Sequence, residues 1–337
     1  MKESFSRIVF TAPGKAELRR VPTSEVALDP EPTLIETEFS VVSPGTELAC
    51  LSGKESWAPL PFFPGYGSVG RVVRMGQGAK GLSLGQRVFT YGPHARYGAV
   101  QALSVPLPEG IDAARATFAR IGAVAMTALR VAEIGLGDVV AVFGLGPVGN
   151  LAAQLFALSG CRVIGIDLSE KRRELARQCG IPHLLAPGEG LREAVAELTG
   201  GRMCRTVVEA TGVPAVAPTA ITLAGKSGEL ILLGSPRGAC QADLTPFLNR
   251  IHLWGEGCVT VKGAHEWRFP IQEGDHVRHS MERNVRILLD LIAEEKLRIA
   301  PLLTHLLSPA DCQTAYDGLQ REKDLYLGVV FDWSKTE

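Results

Sequence analysis

Three glycines and one aspartate carry the most specific chemistry in this chain: Gly144, Gly146 and Gly149, in the run Gly144-Leu145-Gly146-Pro147-Val148-Gly149, and Asp167, 23 positions after the first. Each glycine has its own physical task. The first allows a tight turn, the second lets a pyrophosphate approach the main chain, and the third allows a helix to pack closely on a strand. The positive dipole end and unpaired N–H groups of a helix start, which here opens with Pro147, itself without an N–H, and Val148, then face the diphosphate. A carboxylate at the spacing of Asp167 accepts hydrogen bonds from the adenosine ribose. A like-charge contact of Asp167 with a 2′-phosphate costs about 1–4 kcal/mol at dielectrics near a protein surface, so the pattern selects NAD over NADP.

A GxGxxG is informative only in the right setting, and the flanks supply it. An apolar run, Val139 to Phe143, leads into the glycines; a helix-like segment follows, and a second apolar run, Cys161 to Ile166, ends on Asp167. Val139 to Leu158 is long and apolar enough to suggest a membrane span, but its glycines and Pro147 interrupt it where a phosphate turn would. A strand covered on both faces also reads as a continuous apolar run. Later strands, Val207 to Gly212 and Glu229 to Ser235, end in small or polar residues, and Thr211, Gly234 and Ser235 are expected in the ligand crevice at the strand ends. The fold class is therefore α/β: a doubly wound parallel sheet of Rossmann type. Before about residue 110, short β-like runs alternate with proline and glycine turns, giving a separate β-rich domain; helix formers begin near Ala113. A helix (Asn284 to Lys296), a helix-like run (Pro309 to Leu319) and an apolar strand (Leu327 to Trp333) close the chain.

Composition removes several functional classes. With 337 residues, 46% of them hydrophobic, the length suggests about two domains. Thirty-five basic against 36 acidic residues leave a net charge of −1, without the basic excess of a nucleic-acid binder. The start, MKESFSRIVF, has no continuous apolar stretch of a secretory signal, so a cytoplasmic protein with neither membrane nor nucleic-acid partner is expected. The seven cysteines form no metal-spaced cluster and read as free thiols.

The order of landmarks resembles the medium-chain dehydrogenase/reductase superfamily over nearly the whole chain: Gly45-Thr46-Glu47, Pro64-Gly65-Tyr66-Gly67 with Gly70, Gly137-Asp138-Val139-Val140, the glycine turn, Val208-Glu209-Ala210-Thr211-Gly212, and Pro301-Leu302-Leu303-Thr304-His305. The resemblance implies a GroES-like substrate domain (1–123 and 266–337), a Rossmann domain (124–265) and hydride transfer with a nicotinamide cofactor. It further implies a basic residue beside the adenosine, Arg172; a hydroxyl in a proton relay, Thr46; a structural Glu47; and a strand passing the nicotinamide ring at Gly263-Ala264-His265-Glu266-Trp267. Ala264 would touch cofactor, Glu266 substrate, and His265 is a candidate acid/base. Homodimers, or dimers of dimers, joined through Ile251 to Val261 are also implied.

The departures from that family are as informative. Its zinc-dependent members place a cysteine before Gly-Thr-Asp, a His-Glu pair after a glycine, and a third ligand near the start of the Rossmann domain. Here those positions hold Pro44, Tyr66-Gly67 and Arg120. Proline and glycine have no ligating side chain, and arginine cannot donate a lone pair. No cysteine lies between Cys50 and Cys161, so the structural zinc lobe is missing too. A zinc-lacking member is expected, with no metal site. Ser43 to Glu47 and Pro64 to Tyr66 also resemble zinc-lacking relatives of the bacteriochlorophyllide dehydrogenase type, a local likeness that carries no substrate.

Tyr66 replaces a ligand, so its phenol either donates a proton or fills the emptied space. Trp57, Tyr91 and His94 either line a substrate pocket or pack on the core. His276 and His279 read as a solvated loop. The leading reading is a zinc-independent NAD(H)-dependent oxidoreductase acting between alcohol and carbonyl on a polar small molecule, polyol or sugar-like. Two others stand beside it: an NADPH-dependent enoyl or quinone reductase, and a catalytically silent dinucleotide-binding sensor or scaffold.

Overall fold

The computed structural model describes residues 3–25, 32–76, 81–100 and 103–336. Two units emerge, Met1–Ile121 with Pro270–Glu337, and Gly122–Phe269. The first opens with an antiparallel hairpin, β1 (Ser4–Ala12) and β2 (Lys15–Pro22), which stands as its own two-stranded sheet. β3 (Leu34–Val41) leads into a helix, α1 (Pro44–Leu51), then β4 (Gly67–Arg74), β5 (Arg87–Thr90), β6 (Tyr97–Ala99) and β7 (Ser104–Pro106). A short helix, α2 (Ala113–Ala116), precedes α3 (Ala119–Val131), within which the unit boundary falls.

The second unit alternates strand and helix: β8 (Val139–Phe143), α4 (Pro147–Leu158), β9 (Arg162–Ile166), α5 (Glu170–Gln178), β10 (His183–Leu185), α6 (Leu191–Thr199), β11 (Cys204–Glu209), α7 (Ala217–Ala220), β12 (Ala224–Leu232), α8 (Thr245–His252) and β13 (Thr260–Gly263). All six strands are parallel, in the order β10-β9-β8-β11-β12-β13. That is the dinucleotide-binding arrangement 3-2-1-4-5-6, whose order reverses between β8 and β11. Ala141, Phe143, Ile164, Ile166, Val207 and Leu230 lie in one core cluster, and the alternate residues Val140, Val142, Val163, Val208 and Ile231 are buried too, as a doubly wound sheet covered on both faces requires.

The chain then re-enters the first unit through α9 (Met281–Ala293), β14 (Leu303–Leu307), α10 (Cys312–Arg321) and β15 (Gly328–Asp332). The larger sheet there runs β14-β15-β3-β4-β5-β7, with β6 also on β3. Phe10, Tyr316, Phe331 and Trp333 fill its core.

Three segments are defined only by the fold. Pro44 to Leu51 is a helix, begun by proline in its first turn and steadied by Glu47, whose Oε1 accepts from Ser43 N–H at 2.8 Å. Leu303 to Leu307 is a strand. Ile251 to Val261 is mostly not one: it finishes α8 and turns through Gly257 and Cys258, both at positive φ, before β13 starts at Thr260. Among the described residues, no helix is long and apolar enough to cross a membrane.

Candidate functional site

The expected cofactor residues gather at the carboxyl ends of the parallel strands. Gly144 turns out of β8 at φ +85° and Gly146 caps α4. A Cβ on Gly149 would stand 1.8 Å from the Gly144 carbonyl oxygen, so helix and strand meet there with no room for a side chain. Gly146 is the opposite case: nothing lies within 4 Å of where its Cβ would be. Closed space behind the turn and open space in front of it form a cradle for a diphosphate at a helix start.

Asp167 closes the other side. Its carboxylate accepts from Leu145 N–H at 2.6 Å and from Ser169 N–H at 2.8 Å, which ties the glycine turn to the end of β9. A carboxylate has about four acceptor positions, so two main-chain bonds leave capacity for ribose hydroxyls. Arg172 Nη1 lies 3.9 Å from Asp167, and Arg173 donates to the Asp167 carbonyl at 2.6 Å. Thr211 packs against Gly144, while Gly212 and Gly234-Ser235 interlock so tightly that a Cβ on Gly234 would be 2.2 Å from Gly212 N. Ala264 follows β13 and is held by Leu232 O at 2.9 Å. Glu209, not singled out in the sequence, fixes this corner: its buried carboxylate accepts from Thr211 N–H at 2.6 Å, from the Thr211 hydroxyl, and from Gly212 N–H at 3.3 Å. The only signal for it was its place in the Val208-Glu209-Ala210-Thr211-Gly212 landmark.

In the first unit, Val41 pairs with Gly67, the first residue of β4, which sets Tyr66, just before that strand, next to the turn that opens α1. Arg120 reaches the same place from α3. Its stem runs against Gly67, where a Cβ would be 2.6 Å from Arg120 Cβ, and its Nε donates to the Tyr66 carbonyl at 3.2 Å. The guanidinium carbon lies over two phenol rings, 3.7 Å from the Tyr66 centroid and 4.1 Å from that of Tyr91. Thr46 is half-buried on the first turn of α1.

His94 lies in the bend before β6 and packs inward. It is fully buried, with Nδ1 2.7 Å from the Ser40 hydroxyl and Nε2 3.0 Å from Glu47 Oε2. Trp333 Nε1 donates to Ser40 at 2.8 Å and the Tyr316 hydroxyl to Glu47 at 2.6 Å. Ser40 accepts from the indole N–H, and the Glu47 carboxylate, an acceptor, faces the Nε2 proton; in that tautomer Nδ1 accepts from the Ser40 hydroxyl. A loop reading of Gly92-Pro93-His94 had no access to partners 54 and 47 residues away. Trp57 is 57% exposed, packs edge-on against Phe62 and donates to Glu55 at 2.9 Å, so it is a surface aromatic of the 57–63 loop. His265 and Glu266 belong to the other unit, just past β13; the first is exposed and the second buried.

Comparison with known proteins agrees with this architecture. The zinc-binding dehydrogenase family matches residues 147–269. A zinc-type alcohol dehydrogenase-like protein of Haemophilus influenzae, itself uncharacterised, is 25% identical, covering 98% of this chain and 99% of its own. L-galactonate-5-dehydrogenase of Escherichia coli is 27% identical over 85% of this chain and 88% of its own. The fold of galactitol-1-phosphate dehydrogenase from Escherichia coli superposes with a TM-score of 0.82 at 18% identity, covering 97% and 99% of the two chains. Over nearly its whole length the chain is similar to dehydrogenases of the medium-chain type.

Against that family's zinc chemistry, the donor set here does not fit. A catalytic zinc needs three protein ligands of sulfur, imidazole or carboxylate type and one open position. Pro44 and Gly67 offer no donor atom, Tyr66 faces a guanidinium, and Arg120 brings a positive charge to where a ligand would bring lone pairs. Among the described residues, no group of three or more His, Cys, Asp or Glu is arranged to hold a metal. The nicotinamide dinucleotide of this superfamily does fit: the open space at Gly146, the first turn of α4 and Asp167 are the parts that would hold it.

Proposed function

We propose that this chain is an oxidoreductase that interconverts an alcohol and a carbonyl on a polar small molecule, polyol or sugar-like, with NAD(H) and without zinc. The observation that carries the reading is the cradle at the β8–α4 turn closed by Asp167. The nicotinamide supplies the hydride. The chain's own part is to bind the diphosphate at Gly146 and the ribose at Asp167, and to give a proton to the substrate oxygen as charge builds on it. Tyr66 is the first candidate donor, His265 the second, with Thr46 as relay. Positioned proton transfer of this kind is worth about 10²- to 10⁴-fold in rate.

The test is a screen of polyols, sugars and enones with NAD(H) and NADP(H), alongside titration of Asp167→Asn with both reduced cofactors. The lost carboxylate contact to the turn weakens both cofactors alike, whereas the lost charge raises relative NADPH affinity by about tenfold or more. Wild-type protein should prefer NADH and keep its activity in chelator. Equal or tighter NADPH binding, with turnover of enones, would replace this reading by the enoyl or quinone reductase; Arg172 and Arg173 beside Asp167 are the cations that would permit it. Stoichiometric zinc with loss of activity on chelation would remove the metal-free mechanism. Binding of NADH without turnover of any substrate would favour the sensor. Assembly is a separate proposal: a homodimer, or dimer of dimers, joined along β13, checked by light scattering at micromolar concentration.

A further inference from the structure

The geometry points to Glu209 as the positioning residue of the dinucleotide crevice: it sets Thr211 and Gly212 in the form that takes NADH, and acts on cofactor affinity through them. The inference deepens the oxidoreductase reading and rests on it. Glu209 ends β11, the neighbour of β8 at which the strand order reverses. Its Oε1 accepts from both the main-chain N–H and the hydroxyl of Thr211, and its Oε2 from Gly212 N–H at 3.3 Å. The main-chain oxygen of the same residue accepts from Leu233 N–H and Gly234 N–H, each at 2.8 Å. One buried residue therefore joins the ends of β11 and β12.

The contacts continue to the phosphate turn. With its hydroxyl given to Glu209, Thr211 has a fixed rotamer, and its Cγ2 would stand 2.8 Å from a Cβ on Gly144, so the methyl backs the turn at the cradle. Gly212 lies flush against the end of β12, where its own Cβ would be 2.5 Å from the Ser235 carbonyl oxygen. Thr211 is exposed, so the carboxylate rather than burial holds it. A glycine-containing turn without such a tie samples many conformations, and ordering it when a ligand arrives weakens binding. A charged acceptor strengthens each of the three bonds roughly twofold over a neutral one. An amide of the same shape is no substitute, because its NH₂ would set donors against the N–H of Thr211 or Gly212.

The experiment is calorimetric titration with NADH, well below the unfolding temperature, of wild type, Glu209→Gln and Glu229→Gln. Glu229 is the control, a second buried carboxylate of the same sheet that accepts from Glu133 N–H, the Thr206 hydroxyl and Lys262. It pairs with Thr206, three residues before Glu209 on β11 and so back from the strand ends. Both substitutions should lower the thermal midpoint, but only Glu209→Gln should weaken NADH binding, by about tenfold, equivalent to about 1.4 kcal/mol. Thr211→Val, which keeps the methyl and removes the hydroxyl, should lose a similar factor. The double variant Glu209→Gln/Thr211→Val should bind no worse than the weaker single variant, since residues that act as one unit are not additive. Unchanged NADH affinity in Glu209→Gln, an equal loss in Glu229→Gln, or additive losses in the double variant overturn the proposal. If Glu209→Gln does not fold, Thr211→Val answers alone: affinity as in the wild type overturns the proposal, and a several-fold loss at an unchanged thermal midpoint supports it. Failure of the wild type to bind NADH removes the oxidoreductase reading itself, whereas NADH binding indifferent to Glu209 removes only the role of this residue.

Discussion

Two glycines three residues apart, Gly146 and Gly149, respond in opposite ways to the same added methyl group, and the contrast tests the cofactor cradle. In Gly149→Ala the new Cβ would stand 1.8 Å from the Gly144 carbonyl oxygen, where real contacts do not fall below 3.0 Å, so helix and turn must separate by more than about 1 Å. Overpacking of this kind costs about 1–3 kcal/mol or more, here against rigid main chain rather than a side chain that can swing away. In Gly146→Ala nothing is displaced, and φ −61° with ψ 177° suits alanine. Alanine gains about 0.4–1 kcal/mol by restricting the unfolded chain, and gives some of it back as a poorer helix N-cap. Folding should therefore be nearly unchanged, while the methyl occupies the approach of the diphosphate. Losing one main-chain bond to a charged oxygen, about 1.5–3 kcal/mol, means NADH binding weaker by about 10- to 100-fold. Thermal unfolding with NADH titration separates the two variants: Gly149→Ala melts earlier, whereas Gly146→Ala melts like the wild type and binds NADH about 10- to 100-fold more weakly. NADH affinity of Gly146→Ala within twofold of wild type would refute the placement of the diphosphate.

Three further outcomes follow from the buried groups. Burial and the neighbouring Glu47 hold the Tyr316 phenol well above its ordinary value of 10.0; the unfolded chain therefore releases this proton first, and the tyrosine's contribution to stability is present below pH 10.0 and lost above it. Tyr316→Phe should lower the unfolding midpoint, by the about 1–3 kcal/mol of a partner left unpaired, and flatten the alkaline slope; an unchanged midpoint would count against the network. Burial pushes the thiols of Cys161 and Cys312 to about 11 and that of Cys204 to about 12, while Cys240 and Cys258 are exposed, so iodoacetamide at pH 8 should add two labels to the native protein, read by intact mass, and rapid labelling of the others would refute the packing. His305, stacked on Tyr326, is shifted below 6.5 by desolvation; its stabilisation is present above pH 6.5 and lost as pH falls through the folded value, so denaturant titrations of His305→Gln should show a shallower acid slope than wild type.

The dinucleotide half was legible because its signals are local. Val139 to Phe143 appears in the sequence as the strand it forms, since burial on both faces leaves one unbroken apolar run, and the glycines reveal themselves by what only glycine permits. The first unit was less legible. Pro44-Gly45 reads as a turn, and the helix that follows depends on Glu47, whose other carboxylate oxygen is satisfied by Tyr316, 269 residues away. His94 sits in an apparent loop, and only the fold discloses its partners on β3 and α1. Ile251 to Val261 misleads in the other direction: its apolar residues suggest a strand, but Leu253 and Trp254 are exposed, and only the last two residues pair with β12. At the candidate site, alignment alone put Tyr66 and Arg120 in one place; the stacking of Tyr91 on that arginine could not be read from spacing.

The first unit is written in two pieces with the second unit inserted between them, and this has consequences for a chain made from one end. β15 is not added at the rim of its sheet; it sits between β14 and β3, so a central strand is the last to be synthesised. Tyr316 and Trp333, which complete the buried bonds of Glu47 and Ser40, come equally late. On the ribosome the continuous segment 122–269 has all its strands and can close on its own, whereas residues 3–121 wait with the flank of β3 unpaired. An unpaired strand flank is a template for wrong partners, so a chain that stops before Gly328 leaves a folded nucleotide-binding unit joined to an aggregation-prone remainder.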